Sequence, residues 1–119
     1  MNIIWTPRAS ETFAENISYL EEERDASVID DFLDNTEKAL ALIRNKPTLF
    51  PTMGKSKAIR KCLIVKQIFL YYKIKADRID LLVFWNNYQN PKKLNSSKLY
   101  FATFAAQMME EGSVVIFPF

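Results

Sequence analysis

The side chains of this sequence that could do chemistry are basic and aromatic, and they are concentrated between residues 55 and 89. Lysines and arginines that converge on one surface bind phosphate groups and can stabilise a phosphoryl transition state without a metal. A tyrosine in such a place can stack on a nucleobase or transfer a proton. Packing of the tyrosines in a sheet, and an ion pair at the arginine, would account for the same residue types. The candidates are Lys55, Lys57, Arg60, Lys61, Lys73, Tyr71, Tyr88 and Gln89.

The composition excludes several other kinds of catalytic site. The sequence has no histidine, so Ser-His-Asp and Cys-His sites cannot form in their usual arrangement. Its single cysteine, Cys62, excludes an internal disulfide and, together with the absence of histidine, argues against a zinc site. Its two glycines, Gly54 and Gly112, cannot build a glycine-rich phosphate loop. We therefore expect neither a metal nor a cofactor.

Charge is distributed unevenly along the chain. Residues 1–37 carry ten acidic and two basic residues, whereas residues 38–98 carry fourteen basic and two acidic ones. The net charge of +2 therefore hides an acidic flank and a basic surface that would attract an anionic partner. The alternative is that the two halves neutralise each other in the fold.

The length of 119 residues predicts a single domain spanning residues 1–119. No apolar run approaches the roughly 18 residues that a membrane span needs. The N-terminus lacks the basic and apolar regions of a signal peptide, and a lone cysteine is typical of a reducing compartment. These observations favour a cytoplasmic protein without membrane association.

The hydrophobic pattern predicts an α+β fold with the order β-α-α-β-β-β. A short strand ends at Thr6, which is a suitable N-cap for a helix over residues 7–23, and Asp25 would cap a second helix over residues 26–45. Alternating residues predict strands over 58–65, 67–75 and 78–85. We expect a small antiparallel sheet with the helical hairpin packed on one face. Residues 95–112 have the pattern of a third helix, and residues 113–119 form a β-prone tail that should pack on the body.

Several segments together resemble the RelE/ParE superfamily of bacterial toxins. They are "IIWTPRASETFAENISYL", "KPTLFP", "AIRKCLI", "FLYYKI" and "IDLLVFWNNYQNPKKL", in the order in which that superfamily has them. The resemblance covers residues 2–94, so it makes residues 1–94 the core of the domain. Residues 95–119 are a C-terminal extension, either a family-specific cap or a segment that fills the groove where an antitoxin segment would bind.

The resemblance implies the toxin half of a type II toxin–antitoxin module, such as those that stabilise plasmids, whose cognate antitoxin neutralises it. Some members cleave mRNA on the ribosome without a metal, and others poison DNA gyrase. The nuclease pattern places its functional residues at Lys55, Lys57, Arg60 and Tyr88. Where that branch has a second arginine or a histidine, this sequence has Asn86 and Asn87 before the tyrosine.

Three hypotheses follow from the sequence. The first is a toxin that inhibits growth by binding a macromolecule such as DNA gyrase, and the second is a ribosome-dependent mRNA endoribonuclease. The third is a degenerate member of the family that is no longer toxic. In the second hypothesis Arg60 and Tyr88 are catalytic. The residues expected to contact the substrate or target are Lys55, Lys57, Lys61, Lys73 and Gln89.

Overall fold

In the part of the chain that the structure describes, four strands and two helices follow one another in the predicted order. A computed structural model of the chain describes residues 1–23 and 26–87. The α+β class and the order β-α-α-β-β-β are confirmed, and the predicted ends of the elements are correct to within one residue. The elements are β1 (Asn2–Trp5), α1 (Pro7–Glu22), α2 (Ala26–Asn45), β2 (Ile59–Val65), β3 (Ile68–Ile74) and β4 (Arg78–Asn86).

Some predictions concern residues that the structure does not describe. They are the N-cap at Asp25, the third helix over residues 95–112 and the tail over residues 113–119. The candidate residues Tyr88 and Gln89 also lie outside the described residues.

The sheet has the strand order β1-β4-β3-β2 and is mixed. Strands β2, β3 and β4 are joined by tight turns and pair antiparallel, as predicted. Strand β1 pairs with β4 in parallel, with Asn2 opposite Arg78 and Trp5 opposite Leu81. Parallel neighbours need a long connection between them, and here it contains both helices and the other two strands. The four residues of β1 carry no signal of strand direction, so the sequence could not predict this pairing.

The first helix is anchored to β4 at its N-terminus. The Thr6 hydroxyl accepts a hydrogen bond from the backbone N–H of Ala9 (3.1 Å) and donates one to the carbonyl of Leu81 (2.7 Å). Pro7 occupies the first turn, where its missing N–H costs nothing. The N-cap therefore starts the helix and also fixes its position against the sheet.

Both helices pack on one face of the sheet, around a cluster of aromatic rings. The rings of Phe13 and Phe32 stack with their centroids 5.1 Å apart, and Phe84 of β4 lies 5.2 Å from Phe13 and 6.0 Å from Phe32. Trp5 of β1 stacks on Phe84 at 5.6 Å. Residues from two strands and both helices thus meet in one apolar core.

Side chains of α1 also bond directly to the backbone of β4 beyond the end of β1. The Thr12 hydroxyl accepts a hydrogen bond from the N–H of Phe84 (2.9 Å), and the Asn16 amide donates one to the Phe84 carbonyl (3.0 Å). Strand β1 pairs with β4 only as far as Leu81. The helix therefore provides partners for the backbone of Phe84 at a point that strand β1 does not reach.

A β-bulge in β4 changes which side chains reach each face. Tyr72 lies opposite Leu81 and Tyr71 opposite Val83, so Leu82 is an extra residue. Leu82 and Val83 consequently belong to the same apolar cluster, on the face away from the helices. The described helices contain no segment long and apolar enough to cross a membrane.

Candidate functional site

The loop before β2 carries two lysines at the tip of a tight turn. The turn is closed by hydrogen bonds from the N–H of Met53 to the carbonyl of Ile59 (2.8 Å) and from the N–H of Lys61 to the carbonyl of Pro51 (3.0 Å). Gly54 has a φ of 58°, which glycine adopts without steric cost. Lys55 and Lys57 are exposed at the tip, as the sequence predicted for a basic loop. Their ammonium groups are available to an anionic partner.

Arg60 holds the start of the same loop from the helix side of the sheet. Its guanidinium donates hydrogen bonds to the backbone carbonyls of Thr48 (3.1 Å) and Phe50 (2.7 Å). Arg60 alternates with Lys61 along β2 and shares its side with Cys62, which belongs to the core beneath the helices. The guanidinium thus bonds to two backbone carbonyls of the loop, where the sequence analysis had offered an ion pair as the alternative.

Tyr72 lies opposite Arg60 on β3 and holds the same loop. Its hydroxyl donates a hydrogen bond to the carbonyl of Pro47 (2.7 Å). Burial raises the pKa of Tyr72 to about 12, although the positive charge of Arg60 acts in the opposite direction. The phenol therefore stays protonated and keeps its hydrogen bond at neutral pH. We call the contacts of Arg60 and Tyr72 with residues 47–50 the loop clasp.

Three other predicted residues share the opposite face of the sheet. Lys61 pairs with Tyr71 across β2 and β3, and its ammonium lies 5.4 Å from the centre of the Phe69 ring. Tyr71 is buried, and burial raises the pKa of its phenol. Lys73 lies two residues further along β3 on the same side and is only 7% exposed. The structure therefore brings Lys61, Tyr71 and Lys73 together and places Arg60 on the other side.

A second group of charges, at the end of β3 and the start of β4, was not predicted. Asp80 is buried, and its carboxylate accepts from the Lys75 ammonium (2.9 Å) and from the Arg78 guanidinium (3.0 Å). Burial alone would raise the pKa of Asp80, but the bonds to Lys75 and Arg78 outweigh it and hold that pKa below its usual 3.8. The spacing of Arg78 and Asp80, two residues apart on one strand, could have indicated this contact.

We expect Asp80 to make the stability of the domain depend on pH in the acid range. Because its pKa is lower in the folded than in the unfolded chain, its contribution is complete above pH 3.8 and is lost as the pH falls through the folded value. Urea unfolding of Asp80→Asn should therefore show a smaller loss of stability on acidification than the parent. Asp77→Asn removes the same charge from an exposed position and serves as the control. Equal slopes for the parent and Asp80→Asn would contradict this role.

The remaining candidate groups of the described chain do not form a reactive centre. Burial raises the pKa of the Cys62 thiol to about 11, so it stays protonated and unreactive at neutral pH. In residues 1–23 and 26–87, no three histidine, cysteine or acidic residues lie close enough to hold a metal ion.

The fold and the site together define a small α+β domain with two exposed lysines on a clasped loop. Two more lysines, the half-buried Lys61 and the buried Lys73, lie on the sheet face opposite its helices. No protein-family model and no curated protein matches the chain.

Proposed function

We propose that this chain is the toxin of a type II toxin–antitoxin pair and that it acts by binding a macromolecular target such as DNA gyrase. The resemblance of residues 2–94 to the RelE/ParE superfamily supports the class, and the element order agrees with it. In this proposal the protein works in the cytoplasm, and a cognate antitoxin neutralises it. The choice of binding over cleavage rests on the position of Arg60.

Metal-independent cleavage of RNA needs cations and a proton-transfer group around one phosphate. Arg60, the expected catalytic cation, donates to the carbonyls of Thr48 and Phe50 on the helix side of the sheet. Tyr71 is buried with a raised pKa, which makes its phenol a poor base. The described residues thus favour a surface that binds over one that cleaves.

The clasped loop supplies a binding surface of suitable character. Lys55 and Lys57 are exposed on a turn whose backbone is fixed by hydrogen bonds at both ends. A fixed loop loses little conformational entropy when a partner binds, so less of the free energy of its ionic contacts is spent on ordering the loop. Two lysines on a rigid tip suit an acidic patch on a protein target.

We expect Lys55→Glu/Lys57→Glu to abolish growth arrest when the chain is expressed in a bacterial host. Reversing both charges would repel an acidic target without disturbing the core, because both side chains are exposed. Lys38→Glu/Arg44→Glu makes the same change of charge at exposed positions of α2 and should leave growth arrest intact. Growth curves after induction, with immunoblots for protein level, give the comparison. Growth arrest by the loop variant would exclude the tip as the target-binding surface.

The target itself is tested with purified protein. We expect inhibition of DNA supercoiling by gyrase and intact ribosome-bound mRNA. Cleavage of that mRNA, lost in a folded Arg60 variant, would overturn the proposal. Expression with no effect on growth would instead support the degenerate, non-toxic alternative.

The mRNA endoribonuclease remains the second candidate because of one observation. Lys61, Tyr71 and Lys73 share one face of the sheet, and Lys61 lies over the ring of Phe69. Lys61 and Phe69 are half-buried and offer a cation and an aromatic ring to single-stranded RNA, whereas Tyr71 and Lys73 beside them are buried. Mapping of mRNA ends after induction distinguishes this candidate, since Lys61→Ala should then reduce cleavage at every site.

A further inference from the structure

The end of the sheet where β3 turns into β4 carries basic residues from two separate segments. Strands β2 and β3 meet there, because the N–H of Ile74 bonds to the carbonyl of Ala58 (2.8 Å). The next residue of each segment beyond this bond is a lysine, Lys57 or Lys75 respectively. The N–H of Lys75 bonds to the carbonyl of Arg78 (2.8 Å) and closes the turn, which brings a further cation to the same end. We call the following residues the cationic end of the sheet: Lys55, Lys57, Lys75 and Arg78.

Asp80 fixes the two basic residues of the β3–β4 turn relative to each other. Its Oδ2 accepts from the ammonium of Lys75 (2.9 Å), and its Oδ1 accepts from Nε of Arg78 (3.0 Å). The side chain of Arg78 nevertheless remains 41% exposed and that of Lys75 23%. Both cations therefore reach the solvent in positions that one buried carboxylate sets.

We propose that the cationic end binds an acidic segment of a protein partner as one surface, and that Asp80 is its positioning residue. In the proposed function, on which this rests, that partner is the target. The four cations outnumber the two acidic residues of the turn, Asp77 and Asp80, so the surface attracts an anionic group. Hydrogen bonds hold the loop and the carboxylate holds the turn, so little order has to be gained when a partner binds.

An acidic protein segment suits this surface better than a nucleic acid does. Residues 51–58 and 75–78 contain no aromatic side chain on which a base could stack, and stacking contributes much of the affinity for single strands. Asp77 lies 3.7 Å from the Arg78 guanidinium with 77% of its side chain exposed. Its negative charge would repel a continuous phosphate backbone, whereas a protein segment can place a neutral residue opposite it.

Fluorescence anisotropy of a fluorescein-labelled oligoglutamate peptide, at low ionic strength, measures binding to this surface. We expect Lys75→Gln/Arg78→Gln to weaken binding about tenfold, because salt screens these charges least under such conditions. The matched control, Lys38→Gln/Arg44→Gln, removes the same charge from exposed positions of α2 and should leave the affinity unchanged. Equal losses in the two variants would show that only net charge matters and would overturn the proposal. Tighter binding of an oligothymidylate of equal charge would also overturn it, in favour of a nucleic acid.

Asp80→Asn separates positioning from charge, because the two predict opposite results. The substitution removes a negative charge, so charge alone would tighten binding of the peptide. We expect binding to weaken several-fold instead, since a neutral amide has one acceptor oxygen and cannot hold both cations. Asp77→Asn makes the same change of charge at an exposed position of the turn and should tighten binding. Equal tightening in both variants, with circular dichroism showing both to be folded, would contradict the role of Asp80.

A titration of the unaltered chain serves if a variant fails to fold. In two-dimensional NMR spectra the amide resonances of Lys57 and Ala76 should shift along one binding curve as oligoglutamate is added, because one ligand touches both segments. Shifts confined to either segment would overturn the proposal. Growth arrest by a chain whose turn does not bind the peptide would overturn this surface alone. Peptide binding by a chain that arrests no growth would support the surface and count only against the proposed function.

Discussion

Replacing Phe32 with alanine is expected to lower the free energy of unfolding by about 3–5 kcal/mol, the usual cost of removing a buried phenyl ring. Phe32 is fully buried and touches the rings of Phe13 and Phe84, so the cavity would open where α1, α2 and β4 meet. Since a domain of this size is stable by roughly 5–15 kcal/mol, the loss is a large part of the total. Urea unfolding followed by circular dichroism measures it.

The next residue along α2 supplies a matched control. Leu33 is 41% exposed, and Leu33→Ala should change the free energy of unfolding by only about 0.5 kcal/mol, as is usual at surface positions. Equal losses in the two variants would show that the aromatic cluster is not the centre of the core.

Replacing Arg60 with alanine is expected to cost about 2 kcal/mol of folding stability, because hydrogen bonds from a charged donor are stronger than neutral ones. The substitution leaves the carbonyls of Thr48 and Phe50 without their partner and frees the start of the basic loop. Arg60→Lys should not restore the lost stability, since a single ammonium cannot reproduce the planar guanidinium that spans two carbonyls. Urea unfolding of the Arg60→Ala and Arg60→Lys variants tests both statements.

Tyr72→Phe tests whether Arg60 acts by holding the loop or by touching the target directly. It removes only the bond to the carbonyl of Pro47, which is worth about 1 kcal/mol, and its side chain lies on the helix side of the sheet. If Arg60 acts through the loop, Tyr72→Phe should weaken growth arrest in the same direction, and the double variant should show coupling. Loss of growth arrest in Arg60→Ala with unchanged stability would instead place Arg60 in contact with the target.

The sequence predicted the elements well because their signals are local. The proline after Thr6 and the spacing of apolar residues define the helices, and strict alternation defines the strands. The parallel pairing of β1 was missed because it joins Ile3 to Ile79, two residues that no local pattern relates. The bulge at Leu82 was missed for a similar reason, since it is visible only against the register of β3.

The site was predicted less completely than the fold. Alternation along β3 was enough to place Tyr71 and Lys73 on one face, whereas Lys61 joins them only through the register of β2 against β3. Alternation could not show that the Arg60 guanidinium would bond to backbone carbonyls, because these carbonyls belong to a loop without a regular pattern. Side-chain partners in irregular loops depend on the whole fold and are not encoded in spacing.

The bonds from α1 to Phe84 have a consequence for association between molecules. Beyond Leu81 none of the described strands lies on the outer side of β4, and free N–H and C=O groups there would be a template for a strand of another molecule. Thr12 and Asn16 occupy both groups of Phe84 and so close this edge against intermolecular pairing. Thr12 and Asn16, two polar side chains on the buried side of α1, thus protect the domain against aggregation by strand pairing at the edge of β4.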